Sequence, residues 1–198
     1  MAVDAKTVKE LRRVSGAGMM ECKKALDETG GDLDAALKHL REQGVKVAAK
    51  KASRQANEGL VYSYIHGVGK LGVLVEINCE TDFVARTETF QEFCKQVAMH
   101  IAAAAPDYVS VEEVPEARVA EEKEVLFSQL ADSNKPENIK EKIVEGRLAK
   151  FYSEICLLEQ EWIHDSEVGK VSDAVTAAIA KVGENIVINR FARFQIGG

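Results

Sequence analysis

The sequence feature that most constrains the fold is an alternation of apolar and polar residues in three separate stretches. Residues 60–65 and 71–77 alternate on either side of the segment HGVGK, whose glycines suit a chain reversal, and they predict a β-hairpin. Residues 186–196, IVINRFARFQI, alternate as strongly and predict a third strand. We expect this strand to pair with the hairpin in an antiparallel three-stranded sheet that helices cover on one face.

The first forty-odd residues repeat apolar positions at helical spacing and predict three short helices. Asp4 and Asp32 are the expected N-caps of the first and third helices. The glycines at 30–31 are expected to end the second helix and Gly44 the third, because glycine suits the left-handed position that follows a helix. The three apolar stripes are Val8, Leu11 and Val14; Met19, Cys22 and Leu26; and Leu33, Ala36, Leu37 and Leu40. The pattern predicts a miniature three-helix domain over residues 1–45.

Residues 46–57 are rich in Lys, Arg and Ala and lack a strong apolar face, so they predict a linker, either helical or extended. Their basic run has two interpretations, a contact with RNA or an acidic partner, or a solvated connector. The connector is favoured, because runs of charge usually face solvent. The run consists of Lys46, Lys50, Lys51 and Arg54. The remaining residues, 58–198, are expected to form one core module.

A long amphipathic helix is predicted after the hairpin. Its expected buried face consists of Phe90, Phe93, Val97 and Ile101, which recur at helical spacing. Pro106 is expected to end it, because proline cannot continue a helix.

Further helices are predicted before the last strand. Residues 109–115 predict an exposed loop, and residues 116–130 predict a helix whose acidic start suits the helix dipole. Pro136 suits the first turn of the next helix, and Ser172 is expected to cap a helix that Gly183 stops. The expected buried side of the helix that follows Pro136 is formed by Ile139, Ile143, Leu148, Phe151 and Ile155. The chain is therefore predicted to be α+β, with a helical segment, a linker and a helix-backed sheet.

Composition and charge argue against several functional classes. The 198 residues carry a formal net charge of -6, with a pI of about 5.4, which argues against nucleic acid as the main partner because phosphate binding needs a basic face. No apolar run reaches the length of a membrane span. The N-terminal segment MAVDAKTVKE lacks the layout of a signal peptide. We therefore expect a cytoplasmic protein that contacts no membrane.

The cysteines and histidines are not arranged as in a typical metal site or catalytic centre. The cysteines are Cys22, Cys79, Cys94 and Cys156, and the histidines are His39, His66, His100 and His164. The cysteines are far apart and form no CxxC pair, so we expect free thiols packed as small apolar groups. An acid–base pair of His164 with Asp165 is an alternative that the polarity of a loop explains equally well. We therefore expect no enzyme activity, no metal and no cofactor.

The fragment NCETDFVART, residues 78–87, places a large aromatic residue at a corner of the chain. Thr81 and Asp82 both favour a turn or an N-cap, so a helix is expected to start directly after the strand. Phe83 then lies in the first helical turn, where two interpretations are open. The ring either packs under the hairpin as a core residue or points outward as an anchor for a partner's pocket.

Four motifs, in this order along the chain, resemble the elongation factor Ts family. They are GAGMMECKKAL at 16–26, GD at 31–32, NCETDFVA at 78–85 and KIVEGRLAKF at 142–151. The resemblance implies a ubiquitin-associated-like domain at 1–45, a sheet-containing core and guanine-nucleotide exchange on the GTPase elongation factor Tu. Long family members carry two core subdomains. This chain has room for about one, so it resembles the short form, which is expected to act as a homodimer.

The resemblance also implies how the corner fragment works. The turn of Thr81, Asp82, Phe83 and Val84 is expected to press against the GTPase beside its Mg²⁺ site. Asp82 and Phe83 have the intruding role, and Thr81 and Val84 shape the turn.

A second set of contacts is implied for the helical segment. The positions of Arg12, Met19 and Met20 are expected to contact the GTP-binding domain, and the two Met side chains suit a soft, adaptable contact. Met19 has the alternative of belonging to the small core of the three helices. The alternative function is a ubiquitin-associated-like scaffold or peptide-binding protein, in which the helical segment makes the functional contacts.

Overall fold

The structure is a computed structural model and describes residues 3–131, 133 and 135–197. In chain order these residues form three helices, a hairpin, five helices and a last strand, which confirms the predicted α+β class. The helices are α1 (Ala5–Ser15), α2 (Met19–Glu28), α3 (Leu33–Lys51), α4 (Asp82–Ala85), α5 (Glu88–Ala104), α6 (Glu116–Ser128), α7 (Glu137–Ile155) and α8 (Val171–Val182). The strands are β1 (Glu58–His66), β2 (Leu71–Cys79) and β3 (Ile186–Gln195).

The strands form one sheet in the order β1-β2-β3, with β2 in the centre. β3 runs antiparallel to β2. The Ile196 N–H donates to the Lys70 carbonyl at 2.9 Å, before the start of β2, and the Asn185 N–H donates to Glu80 Oε1 at 2.7 Å, after its end. Alternate residues of β2 are buried, namely Val73, Val75, Ile77 and Cys79. The predicted hairpin and its pairing with the last strand are confirmed.

The chain divides into two compact units. The first unit comprises Met1–Val61, Glu76–Cys94 and Asp173–Ile188, and the second comprises Tyr62–Val75, Lys95–Ser172 and Asn189–Gly198. The division into residues 1–45, 46–57 and 58–198 stays a prediction. All seven residues with predicted partner contacts lie in the first unit.

The three N-terminal helices pack around a small apolar core in the first unit. Asp32 caps α3 as predicted, because its Oδ1 accepts the Ala35 N–H at 2.8 Å. The buried core residues are Val8, Leu11, Cys22, Ala25, Leu26 and Ala36. Val14 and Met19 were expected in the apolar stripes, but they are 46% and 41% exposed. The core therefore lies around Cys22 and Leu26, one turn beyond the start of α2.

Gly44 does not end the third helix, which continues to Lys51. Gly44 is buried, and a β-carbon at this position would lie 3.5 Å from the Ala180 Cβ of α8. That distance is an ordinary van der Waals contact, so Gly44 lies against α8, and packing overrides the weak helix propensity of glycine. Residues 46–51 of the predicted linker are accordingly helical.

The helix after the corner fragment matches its prediction. Phe90, Phe93, Val97 and Ile101 are all buried, and α5 ends before Pro106. At the C-terminal end of the chain, α8 begins at Val171, so Ser172 lies inside the helix rather than capping it. Gly183 follows α8 with a φ of 77° and ends it as predicted.

In the second unit, one prediction is wrong and another holds in part. The segment 109–115 is not an exposed loop, because Val109 and Val114 are buried on either side of a 3-10 turn. The buried residue of α7 is Val144, and Ile139 is 39% exposed. Leu126 and Leu130, from α6 and its C-terminal end, form one core cluster with Val144, and the half-buried Ile143 packs against it. Leu148, Phe151 and Ile155 are also half-buried, so the predicted side of α7 faces inward except at Ile139.

Candidate partner-binding site

The turn at residues 81–84 begins two residues after the end of β2, and its last three residues belong to the short helix α4. Thr81 is the N-cap, with an extended backbone (φ -132°, ψ 153°) and an Oγ1 that accepts the Val84 N–H at 3.4 Å. Ala85 is buried, whereas Phe83 is 77% exposed. The predicted helix start is confirmed. The interpretation of Phe83 as a core residue is wrong, because its ring lies outside the core.

Two carboxylates join this turn to the corner between α8 and β3, and the contacts form a turn network of Arg54, Glu80, Thr81, Glu184 and Asn185. Glu184 Oε2 accepts the N–H groups of Glu80 at 3.1 Å and Thr81 at 3.0 Å, and its Oε1 accepts the Thr81 hydroxyl at 2.7 Å. In the opposite direction, Glu80 Oε1 accepts the Asn185 N–H at 2.7 Å. Arg54 Nη1 donates to Glu80 Oε2 at 3.3 Å, and Asn185 Nδ2 donates to the Arg54 carbonyl at 2.8 Å. Each corner therefore supplies a carboxylate to the backbone of the other.

The electrostatics of the turn network favour a charged Glu80 and a neutral thiol beside it. The hydrogen bond from the Asn185 N–H lowers the pKa of the Glu80 carboxyl, and Arg54 adds to this effect. Burial, followed by the nearby Glu184 carboxylate, raises the pKa of the Cys79 thiol. Cys79 therefore stays protonated at neutral pH, and its Sγ donates to the Thr81 carbonyl at 3.1 Å.

Asp82 lies beside Phe83 at the start of α4 and pairs with Arg86 at 2.7 Å. Both side chains are exposed, at 45% and 77% respectively. An exposed pair at this spacing contributes little to stability, roughly 0.3–0.5 kcal/mol. The carboxylate is therefore accessible on the same short helix as the ring.

Arg12, Met19 and Met20 lie on the surface of the helical segment. Arg12 is exposed in the last turn of α1, and its carbonyl accepts the Gly16 N–H at 2.9 Å. Met19 and Met20 begin α2 and are 41% and 75% exposed. The alternative that Met19 belongs to the small core is wrong. Their predicted contact with a partner stays a prediction.

The second unit contains a histidine network of His100, Gln160 and Trp162. His100 is fully buried, lies 3.0 Å through its Nε2 from Gln160 Oε1, and stacks on Trp162 with 5.3 Å between ring centroids. Burial lowers the pKa of His100, against the opposing effect of the Gln160 hydrogen bond. His100 therefore stays neutral at pH 7 and belongs to the core.

The alternative pair of His164 and Asp165 makes separate contacts. His164 Nε2 donates to the Gln96 carbonyl at 2.8 Å, and Asp165 Oδ1 accepts the Glu167 N–H at 3.0 Å. Their hydrogen bonds are those of a polar loop.

The four cysteines are free and buried, as predicted. Among the described residues, no three His, Cys, Asp or Glu side chains are grouped so that they could hold a metal ion. In the same part of the chain, no helix is both long and apolar enough to cross a membrane.

Sequence reasoning missed Glu184, the central acceptor of the turn network. It is 103 residues from Thr81 along the chain, so no local pattern connects them. The available signal was its place directly after Gly183, at the corner between a predicted helix and a predicted strand.

The fold and the site define an α+β protein with an exposed aromatic ring on a hydrogen-bonded turn. A family model described as "Elongation factor TS" matches residues 5–169. Elongation factor Ts of Caldanaerobacter subterraneus subsp. tengcongensis is 58% identical over 195 residues, which cover 98% of this chain and 97% of the relative. Those of Heliobacterium modesticaldum and Herpetosiphon aurantiacus are 56% and 54% identical, covering 98% and 100% of this chain and 90% and 99% of the relatives. The chain belongs to the elongation factor Ts family, which confirms the resemblance of its motifs.

Proposed function

We propose that the protein is a guanine-nucleotide exchange factor for elongation factor Tu. It promotes GDP release by inserting the turn at residues 81–84 next to the Mg²⁺ site of the GTPase. Membership of the elongation factor Ts family supports the exchange role in general. The single observation that supports the turn as the inserted element is the ring of Phe83, 77% exposed on a turn fixed by hydrogen bonds. A preformed anchor loses little conformational freedom on binding and so suits a partner's pocket.

The proposed mechanism is thermodynamic linkage between two ligands of the GTPase. A GTPase holds its nucleotide through phosphate contacts and a bound Mg²⁺. An inserted element that displaces the groups around the metal weakens that hold. By reciprocity, the nucleotide weakens binding of the inserted element by the same factor. This exchange involves no covalent chemistry, so it needs no nucleophile or general base from this chain.

Phe83 alone is not expected to supply the whole coupling free energy between binding of this protein and binding of the nucleotide to the GTPase. Burying one Phe side chain contributes about 2–3 kcal/mol. A thousandfold weaker hold on the nucleotide requires a coupling of roughly 4 kcal/mol. We therefore propose that Arg12, Met19 and Met20 add contacts with the GTP-binding domain.

Timing the loss of a fluorescent GDP analogue from elongation factor Tu tests the proposal. Phe83→Ala is expected to slow the stimulated release roughly 30- to 150-fold, because the burial of the ring is lost. The matched control is Val68→Ala, which shortens a side chain that is 90% exposed in the β1–β2 connection and is expected to leave release unchanged. Normal exchange by Phe83→Ala would contradict insertion of the turn. No stimulation by the unaltered protein would contradict the exchange function itself.

We also propose that the protein acts in the cytoplasm as a homodimer. The resemblance to the short form of the family supports this proposal, because short forms are expected to act as dimers. Light scattering of the purified chain tests the dimer, and a mass equal to one chain across the working concentration range would contradict it.

A further inference from the structure

Glu184 accepts three hydrogen bonds from the segment that carries Phe83. The N–H groups of Glu80 and Thr81 lie between the end of β2 and the start of α4, and Glu184 accepts both. The Thr81 hydroxyl donates to the same carboxylate at 2.7 Å, and Thr81 Oγ1 accepts the Val84 N–H at 3.4 Å. One side chain therefore fixes both the backbone before α4 and the residue that caps it.

The corner that carries Glu184 is itself held in place. Gly183 turns the chain after α8 with a φ of 77°, and its carbonyl accepts a hydrogen bond from Lys51 Nζ at the end of α3. Asn185 donates through Nδ2 to the Arg54 carbonyl at 2.8 Å and through its N–H to Glu80 at 2.7 Å. The residues on both sides of Glu184 are therefore tied to other elements of the first unit, and the carboxylate has a defined position.

We propose that Glu184 is a positioning residue for nucleotide exchange, which sets the orientation of Phe83 by holding the backbone of residues 80–81 and the Thr81 cap. This inference rests on the proposed function, because it assigns Glu184 a role only through the inserted turn. Without the carboxylate, the turn samples several orientations, and ordering it on the partner reduces the free energy available for binding.

The chemistry of the contact favours a carboxylate. Three donors converge on its two oxygens, and a carboxylate is an acceptor at both. Gln at this position has almost the same shape, but its NH₂ group replaces one oxygen and cannot accept from the Thr81 hydroxyl. It can only donate to that hydroxyl oxygen, so this hydrogen bond is reversed and the negative charge is lost. Hydrogen bonds to a charged acceptor are also about twice as strong as those between neutral groups. Glu184→Gln therefore weakens the contact with little change in volume.

A double-mutant cycle on the exchange rate tests the proposal. Glu184→Gln is expected to lower the stimulated rate of GDP release roughly tenfold. A turn that is not already ordered loses more conformational freedom when it binds, and this loss weakens its insertion into the partner. In the Phe83→Ala background the same change is expected to have less than about a twofold effect, because the group that it positions is absent. Glu42→Gln on α3 is the matched control, since Glu42 is exposed, and this variant is expected to exchange normally.

The cycle separates positioning from a general structural role and from failure of the proposed function. An equal loss in both backgrounds, or no loss from Glu184→Gln when Phe83→Ala is strongly impaired, would overturn the positioning role. Normal exchange by Phe83→Ala would instead overturn the insertion of the turn. If Glu184→Gln does not fold, Thr81→Val removes the hydroxyl from the same contact and enters the same cycle with the same expectations.

Amide hydrogen exchange provides a readout that needs no partner. The N–H groups of Glu80 and Thr81 are expected to exchange at least several-fold faster in Glu184→Gln than in the unaltered protein, because their acceptor is weakened. Amides in the centre of α5 serve as the internal reference and are expected to be unaffected. Unchanged protection at residues 80 and 81 would overturn the proposal.

Discussion

The turn network and the histidine network combine hydrogen bonds with an aromatic side chain in opposite ways. In the turn network, hydrogen bonds hold the backbone while the ring of Phe83 remains 77% exposed. In the histidine network, Trp162 is buried and stacks on His100. The first arrangement leaves a ring in solvent, and the second adds a ring to the core. The position of the aromatic side chain relative to its polar neighbours therefore distinguishes an exposed ring from a structural centre.

The two networks also differ in how much solvent reaches them. In the turn network Asn185 is buried, but Thr81 and Glu184 are half-buried, so water can replace part of a hydrogen bond lost at these two residues. His100 is fully buried and Gln160 nearly so, and a polar group left without a partner at such a site loses its hydration as well. Stability should therefore depend more on the histidine network, and exchange activity more on the turn network.

The largest effect on stability is expected from His100→Ala. This change removes a buried ring, its stack on Trp162 and the partner of Gln160 Oε1, and it should lower the free energy of unfolding by about 3 kcal/mol. Denaturant titration measures the change, with Glu184→Gln as the comparison at an expected loss of about 1 kcal/mol. Equal losses from the two variants would contradict the distinction between the networks.

The pH dependence of stability should identify His100 as well. Burial lowers its pKa in the folded protein, so between that value and the ordinary pKa of about 6.5 the unfolded chain binds more protons. Stability is therefore present above pH 6.5 and is expected to decrease as pH falls through the folded pKa. His100→Gln lacks this titration and should show a flatter pH dependence below pH 6.5 in melting experiments. An identical slope in both proteins would show that His100 is not the group responsible.

The smallest effect on stability is expected from Phe83→Ala. Because most of the ring is in solvent, the free energy of unfolding should change by less than about 0.5 kcal/mol. Denaturant titration beside the His100→Ala variant measures this directly. A loss above about 1 kcal/mol would mean that the ring contributes to the core and would weaken the case for a partner-binding anchor.

Local sequence patterns predicted the elements that depend on neighbouring residues. Alternation located all three strands, and Thr81 marked the start of α4, because both signals arise within a few residues of chain. Gly44 misled the prediction of α3, since its burial against Ala180 depends on a helix about 130 residues away. In α7 the pattern missed Val144, which forms a cluster with Leu126 and Leu130, and it wrongly included the exposed Ile139.

The candidate site was predictable only in part. The corner fragment predicted an aromatic residue in the first turn of a helix but left open whether its ring was buried, and the structure places Phe83 in solvent. Glu184 could not be identified, because its contacts with residues 80–81 form only after β2 and the α8–β3 corner come together in the folded chain. Periodicity describes which face of an element is buried, but it does not pair side chains across long separations.

The rate at which the buried thiols are alkylated reports how often the folded structure opens around them. Burial raises the pKa of Cys156 to about 11 and that of Cys79 above its ordinary value, so neither thiol is ionised at neutral pH. An alkylating reagent reacts with the thiolate form of cysteine. It therefore reacts with Cys79 and Cys156 only when local opening exposes these thiols to solvent and allows them to ionise. Cys79 precedes the turn network and Cys156 lies in the second unit, so the labelling rates of the two thiols compare how often each neighbourhood opens.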